Sequence, residues 1–381
     1  MQRSRNVSQV TCPFVEPPQL VQVSATQVEY QGQHLRYFGG SDYFRFSWHP
    51  RIRRAVSQSL RELGLSVASS RMVTGNHPVY LRLEGELAKF FRFPSAVLVS
   101  CGYSGPLVAA QALEGLVTHV LVDERAHGCL KDAAAILGVQ PLSFQHDDPD
   151  ALGAAIRRCG RQSRVAVFTD GLSAHQGTIA PLREYLEHLP ENGLLLVDDA
   201  HGTGTLGRRG KGSVEHLGLR DSRIILTTTL SKALGCFGGA VLSPRWFRER
   251  VLRQSQIYGS STALPLPLAA ASLVALEMIQ QDGAALRARL CENTRIVKEA
   301  FRNSHPDWLH RPGPMFAVAP ATVAAQESLR RMLLGAGIYP ALIRYASGPA
   351  DRFFRFAIST AHTRAQLAAL RDLLLKFLQA E

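Results

Sequence analysis

The chain has 381 residues, 46% of them hydrophobic, enough to bury a substantial core and to divide into a larger and a smaller domain. No window approaches the run of about eighteen apolar residues that a membrane span needs, and Met1 to Gln19 shows no apolar stretch ending in a small-residue cleavage site. A soluble, cytoplasmic protein is expected, and the formal charge of +12 is spread along the chain, so it makes no case for a nucleic-acid or membrane partner.

Residues 1–45 read as an irregular N-terminal segment with short strands. From about 95 to 244, short β-branched or Leu-rich runs alternate with longer amphipathic stretches. The runs cover 96–100, 118–124, 142–146, 164–172, 193–200, 224–230 and 239–242. Such alternation predicts an α/β domain with a mostly parallel seven-stranded sheet flanked by helices, over residues 46–265. Runs apolar at consecutive positions, such as Leu194-Leu195-Leu196-Val197, suit strands covered on both faces. Ligands of such sheets sit at the carboxyl ends of the strands. Beyond 266, a long helix is expected over 268–303, interrupted at Gln281-Asp282-Gly283. Helical stretches at 323–337 and 362–379 flank two short apolar runs, giving a smaller C-terminal α+β domain, 266–381.

Two segments carry chemistry. The first is the strand running into Asp198-Asp199-Ala200-His201-Gly202-Thr203-Gly204, which puts two carboxylates and an imidazole at a strand end. The second is Thr227-Thr228-Thr229-Leu230-Ser231-Lys232-Ala233-Leu234-Gly235, again closing an apolar run. A lysine there is partly desolvated, which lowers its pKa toward what a Schiff-base amine needs. A carboxylate facing a pyridine nitrogen keeps that ring protonated and able to accept electrons from a carbanion. Lys232 and Asp198 supply both halves.

These segments resemble the signature of the α-oxoamine synthases, fold-type-I enzymes that depend on pyridoxal 5′-phosphate (PLP). The similarity runs from about Phe38 to the C-terminus, through Ser41-Asp42-Tyr43, Gly75-Asn76, Leu83-Glu84, Cys101-Gly102-Tyr103, His127, Ser261-Thr262-Ala263-Leu264-Pro265 and Arg355 to His362. The resemblance implies an aspartate-aminotransferase-like fold in which Lys232 forms the Schiff base and moves the proton at the amino acid's α-carbon. Asp198 would pair with the ring nitrogen, His201 with the ring hydroxyl, and His127 would stack on the ring. Gly102 and Tyr103 would give backbone N–H groups to the phosphate at a helix start, with Thr229 adding a hydroxyl. Thr262 would reach the cofactor of a neighbouring subunit, implying a homodimer with shared active sites. Arg355 would clamp the substrate carboxylate, with Ser41 close by.

The implied reaction condenses an amino acid with an acyl-CoA or acyl carrier protein and releases CO2. L-Alanine with a pimeloyl thioester, the biotin-pathway condensation, stands first. Glycine with an acetyl donor is an alternative within the family, and transamination is the next reaction class. The chain departs from the family's usual residues at Ser41, Tyr80, Ala174 and Gln176, so its substrate preference is open.

Other motifs fail on context. Gly202-Thr203-Gly204-Thr205-Leu206-Gly207 fits G-x-G-x-x-G, the least favoured oxidoreductase reading, but Arg208-Arg209-Gly210-Lys211-Gly212 follows where a helix should open. The Gly210-Lys211 pair lacks the first glycine and the Ser/Thr of a P-loop. The cysteines Cys12, Cys101, Cys129, Cys159, Cys236 and Cys291 have no zinc spacing and read as reduced structural thiols; no metal is expected. His49, His77, His175 and His362 carry no independent functional case.

Overall fold

A computed structural model of the chain describes residues 16–345 and 348–380. It holds three sheets. Strands β1 (Val21–Ser24), β2 (Gln27–Tyr30) and β3 (Gln33–Arg36) form a small antiparallel sheet ahead of the main body. The central sheet comprises β4 (Ser95–Val99), β5 (His119–Asp123), β6 (Leu142–Phe144), β7 (Val165–Asp170), β8 (Leu194–Asp198), β9 (Ile224–Thr229) and β10 (Gly239–Ser243). All seven coincide with the runs read from the sequence. Their spatial order is β4-β10-β9-β8-β7-β5-β6, with β10 antiparallel to both neighbours and the other pairings parallel.

The consecutive apolar residues of these strands are buried on two sides. Val165, Val167, Leu195 and Val197 join one hydrophobic core, whereas Ala166, Phe168 and Leu196 join a second on the opposite face. Side chains alternate between faces, so a strand sandwiched by helices must be apolar at every position. Each fully buried Val or Leu contributes about 1.5–3 kcal/mol. The polar residues at the carboxyl ends of β7, β8 and β9 are therefore set against a rigid apolar floor.

A third core gathers Phe38, Val297, Phe301, Phe316, Phe354, Phe356 and Leu370. It lies about the sheet of β11 (Met315–Val318), β12 (Leu342–Ile343) and β13 (Phe353–Ala357), whose order is β11-β13-β12. The helices Val323–Gly335 and Arg364–Ala380 pack beside it. The long helix Leu266–Lys298 links the cores, with Leu266 to Ile279 in the first and Val297 in the third.

The interruption expected at Gln281-Asp282-Gly283 does not occur; the helix passes through without a break. Glycine in a helix interior costs about 1 kcal/mol against alanine. A Cβ on buried Gly283 would stand 2.7 Å from Arg287 Nη1, the far end of a long side chain that can move aside. The penalty is local, and the buried stripe on either side carries the helix across it.

Candidate active site

Asp170 and Asp198 end adjacent parallel strands in direct register. Two carboxylates this close, both enclosed, disfavour double ionisation. Burial first, and the charge of Asp198 second, push the Asp170 carboxyl well above its ordinary range. Asp170 accepts the His127 backbone N–H at 2.8 Å, which ties the β5 exit loop to the sheet. Asp198 accepts the Ala200 N–H at 3.1 Å through one oxygen and the Cys129 thiol at 3.2 Å through the other.

His127 caps the helix Gly128–Ala135, its Nδ1 accepting the Cys129 backbone N–H at 3.2 Å. With Nδ1 holding a lone pair, Nε2 carries the proton and donates to the Tyr345 hydroxyl. Burial holds the His127 imidazole below its usual range; Asp198 opposes, while Lys232 and Arg355 reinforce the fall. His201 is more deeply enclosed, with its Nδ1 2.6 Å from the Tyr43 hydroxyl. Burial, then Lys232 and Arg355, push it well below 6.5, so the ring is neutral at pH 7.

Lys232 stands in the tight turn after β9, which the Gly235 N–H closes on the Lys232 carbonyl at 2.9 Å. The turn needs glycine at 235: φ is +62°, and a Cβ would lie 2.5 Å from the Ser47 nitrogen. Burial lowers the Lys232 amine to about 8, against the opposing pull of Asp198. An amine near 8 gives and takes protons close to neutral pH.

Arg355 projects from the middle of β13, paired with Ala317 of β11. Its Nη2 reaches the Ser41 hydroxyl at 3.5 Å, and its buried Nε has no acceptor among the described residues. A guanidinium with an unused donor beside a depressed lysine is a site for a carboxylate.

Cys101-Gly102-Tyr103 leads into the helix Ser104–Leu113, and its backbone lies against Thr229. A Cβ on Gly102 would meet the Thr229 Cβ at 2.6 Å, and one on Gly239 would meet the Cys101 oxygen at 2.7 Å. The cradle thus admits bare backbone only, at the start of a helix, where free N–H groups and the dipole favour an anion. The Tyr103 phenol is engaged elsewhere, donating to Asp132. The Thr229 hydroxyl pairs with Ser231 at 2.7 Å. Thr262 is exposed and shares a narrow cleft with Arg71, Tyr80, Ser100 and Ser104.

The site also gathers residues that sequence reading leaves without a role. Asp170, Cys129, Tyr43 and Tyr345 bond directly to its members. His175 is buried against Tyr345, ring centroids 5.0 Å apart, and burial with Arg355 and His127 drops it to about 3. Asp170 could have been found, since it ends an apolar run as Asp198 does. Tyr345 and His175 carry no local signal. The first glycine of 202–207 serves a different purpose from a dinucleotide loop: a Cβ on Gly202, or on Gly212 beyond the segment, would fall 2.1 or 1.7 Å from the buried Asp199 carboxylate.

The donor set fits a phosphorylated pyridine aldehyde. A depressed amine, a buried carboxylate, neutral imidazoles, a glycine cradle closed to side chains and a guanidinium with a free donor lie within reach of one another's charge or hydrogen bonds about the strand ends.

The profile of the family described as aminotransferase class I and II matches residues 40–374. The chain is 32% identical over 359 residues to the 8-amino-7-oxononanoate synthase of Nitrosococcus oceani, covering 92% of this chain and 94% of that protein. It is also 32% identical over 369 residues to the 8-amino-7-oxononanoate synthase of Methylococcus capsulatus, covering 95% and 92%. Among solved structures, a serine palmitoyltransferase from S. paucimobilis with bound PLP–myriocin superposes with a TM-score of 0.87 at 23% identity, over 95% of this chain and 92% of that one. That likeness carries the fold.

Proposed function

Because the chain belongs to the aminotransferase class I and II family, we propose that its strand-end pocket binds PLP and condenses an amino acid with an acyl thioester, releasing CO2. The substrates of this reading are L-alanine and a pimeloyl group on CoA or a carrier protein, giving 8-amino-7-oxononanoate, free thiol and CO2 for biotin synthesis. The names of the curated relatives, matched over more than nine-tenths of the chain, support that choice. The observation that carries the chemistry is Lys232, an amine that burial lowers to about 8 against the opposing pull of Asp198, in the turn that follows the strand paired with β8.

When bound, PLP supplies a protonated ring that takes up the electron pair left on the amino acid's α-carbon. Asp198 holds the proton at the ring nitrogen. His127 would lie along the ring face, with its neutral Nε2–H donating to the Tyr345 hydroxyl. His201 serves the ring hydroxyl, and Tyr43 holds the His201 ring in place. Lys232 takes the α-proton and returns one after the new carbon–carbon bond has formed. Arg355 orients the amino acid's carboxylate beside Ser41. Gly102, Tyr103 and Thr229 hold the phosphate. In this reading the enzyme is a cytoplasmic homodimer, and exposed Thr262 contributes to the partner's phosphate site; no helix among the described residues is long and apolar enough to cross a membrane.

The test is the absorbance of PLP with wild type and Lys232→Ala, followed by thiol release from pimeloyl-CoA with L-alanine, glycine or serine. A Lys232-dependent band and alanine-dependent thiol release are expected. Release with another amino acid would move the substrate, and absence of the band would overturn the cofactor assignment.

A further inference from the structure

The buried thiol of Cys129 has no part in the chemistry above. Its Sγ lies 3.2 Å from Asp198 Oδ2 and 2.9 Å from His127 Nδ1, so one atom touches both the carboxylate and the imidazole. Cys129 is 1% exposed, in the first turn of the helix that His127 caps. Burial, then the charges of Asp198 and Asp170, push its pKa far up. It is a thiol and no nucleophile, because attack needs thiolate. Asp198 Oδ2 accepts the thiol S–H at 3.2 Å, and His127 Nδ1, beside the same sulfur, accepts the Cys129 backbone N–H.

With Oδ1 on the Ala200 N–H and Oδ2 on the thiol, the Asp198 carboxylate has donors on both oxygens and one plane. We propose that Cys129 is a positioning residue, fixing the Asp198 carboxylate and the base of the His127 ring as a single unit around the cofactor. The inference rests on the PLP reading of the pocket. A hydrogen bond donated to a carboxylate favours its charged form, and that charge is what holds a proton on the facing ring nitrogen. Without the thiol, the carboxylate is free to rotate on its Ala200 bond and its charge is less supported. The ring is then less cationic, and the Lys232-linked chromophore keeps its own proton to higher pH.

Cys129→Ala and Cys129→Ser in the full chain, reconstituted with PLP, test this with three readouts: the PLP dissociation constant, the pH midpoint of the bound-PLP absorbance, and the melting of the cofactor-free chain. The alanine variant is expected to bind PLP about tenfold more weakly, from the loss of one hydrogen bond to a charged group. Its absorbance midpoint is expected to move to higher pH. Serine, which restores a donor at the same place, is expected to return affinity to within about twofold of wild type and to return the midpoint as well. An alanine variant with unchanged affinity and midpoint overturns the inference, whether or not its cofactor-free melting falls, since a fall alone marks packing. So does a serine variant that fails to restore either. A wild-type chain that binds no PLP overturns the functional reading and this inference with it, whereas normal wild-type binding with an unchanged alanine variant overturns this inference alone.

Discussion

Replacing Lys232 by methionine should make the cofactor-free protein more stable at neutral pH. In the fold the amine's pKa drops from 10.5 to about 8, chiefly through burial. Sheltering its ammonium at pH 7 therefore costs the native state ~3 kcal/mol, at about 1.4 kcal/mol for each tenfold change in proton affinity. Methionine has similar length and no charge, so it fills the space without that cost. With an unfolding entropy of ~2.1 cal/mol/K per residue, a 381-residue chain should melt ~4 °C higher. The sign with pH follows from the depressed folded value. Between about 8 and 10.5 the unfolded chain holds the proton that the folded chain has released. Wild-type stability consequently rises with pH through that window, and the advantage of methionine shrinks to nothing above it. His127 and His201 titrate below the window in both proteins and drop out of the difference. Melting of both cofactor-free proteins in steps from pH 7 to 11 measures this. A methionine variant that melts lower at pH 7, or whose advantage persists unchanged past 10.5, would show that the lysine is not held against its charge.

Arg355→Lys keeps the charge but loses the planar fork, so KM for the amino acid should rise at least about tenfold while the bound-PLP spectrum stays as in wild type; steady-state kinetics with L-alanine check it. A spectrum altered as much as KM would place Arg355 against the cofactor instead. Gly102→Ala brings a methyl to within 2.6 Å of the Thr229 Cβ, so the cradle must open or the loop must withdraw from the phosphate. PLP affinity should fall about tenfold or more with the cofactor-free melting nearly unchanged, measured by titration of the bound band; undiminished affinity would remove the loop from the phosphate site.

The strands, their polar ends and the lysine turn were legible because each is a local event: an apolar run of fixed length closed by residues that cannot continue it. Asp198 and Lys232 announced themselves in that way, and the register now sets Asp198 opposite Thr227 in the strand that leads to the lysine. Asp170 belonged to the same class of signal, but its run ends in one carboxylate with no motif attached. The long helix runs on through Gly283 because a local penalty of about 1 kcal/mol is outweighed by buried residues on either side, such as Ile279 and Leu290, whose packing is not visible locally. Tyr345 and His175 were illegible for a stronger reason. Tyr345 reaches His127, and His175 reaches Tyr345, only once the residues after β12 come up against the exit loops of β5 and β7, contacts between residues far apart in the chain.

The electrostatics of the pocket share one cause. Burial raises Asp170 and Cys129 and lowers Lys232, His127, His175 and His201, so each of these groups is driven toward its neutral form. A pocket biased in this way resists charge from its own side chains and is suited to a ligand that brings charge of both signs, a phosphate at one end and a protonated ring at the other. Arg355 adds a buried Nε donor with no acceptor among the described residues, which in the proposed function would serve the substrate's carboxylate. Asp198 has a hydrogen bond on each oxygen, and in the proposed function it is the acid that would answer the ring cation.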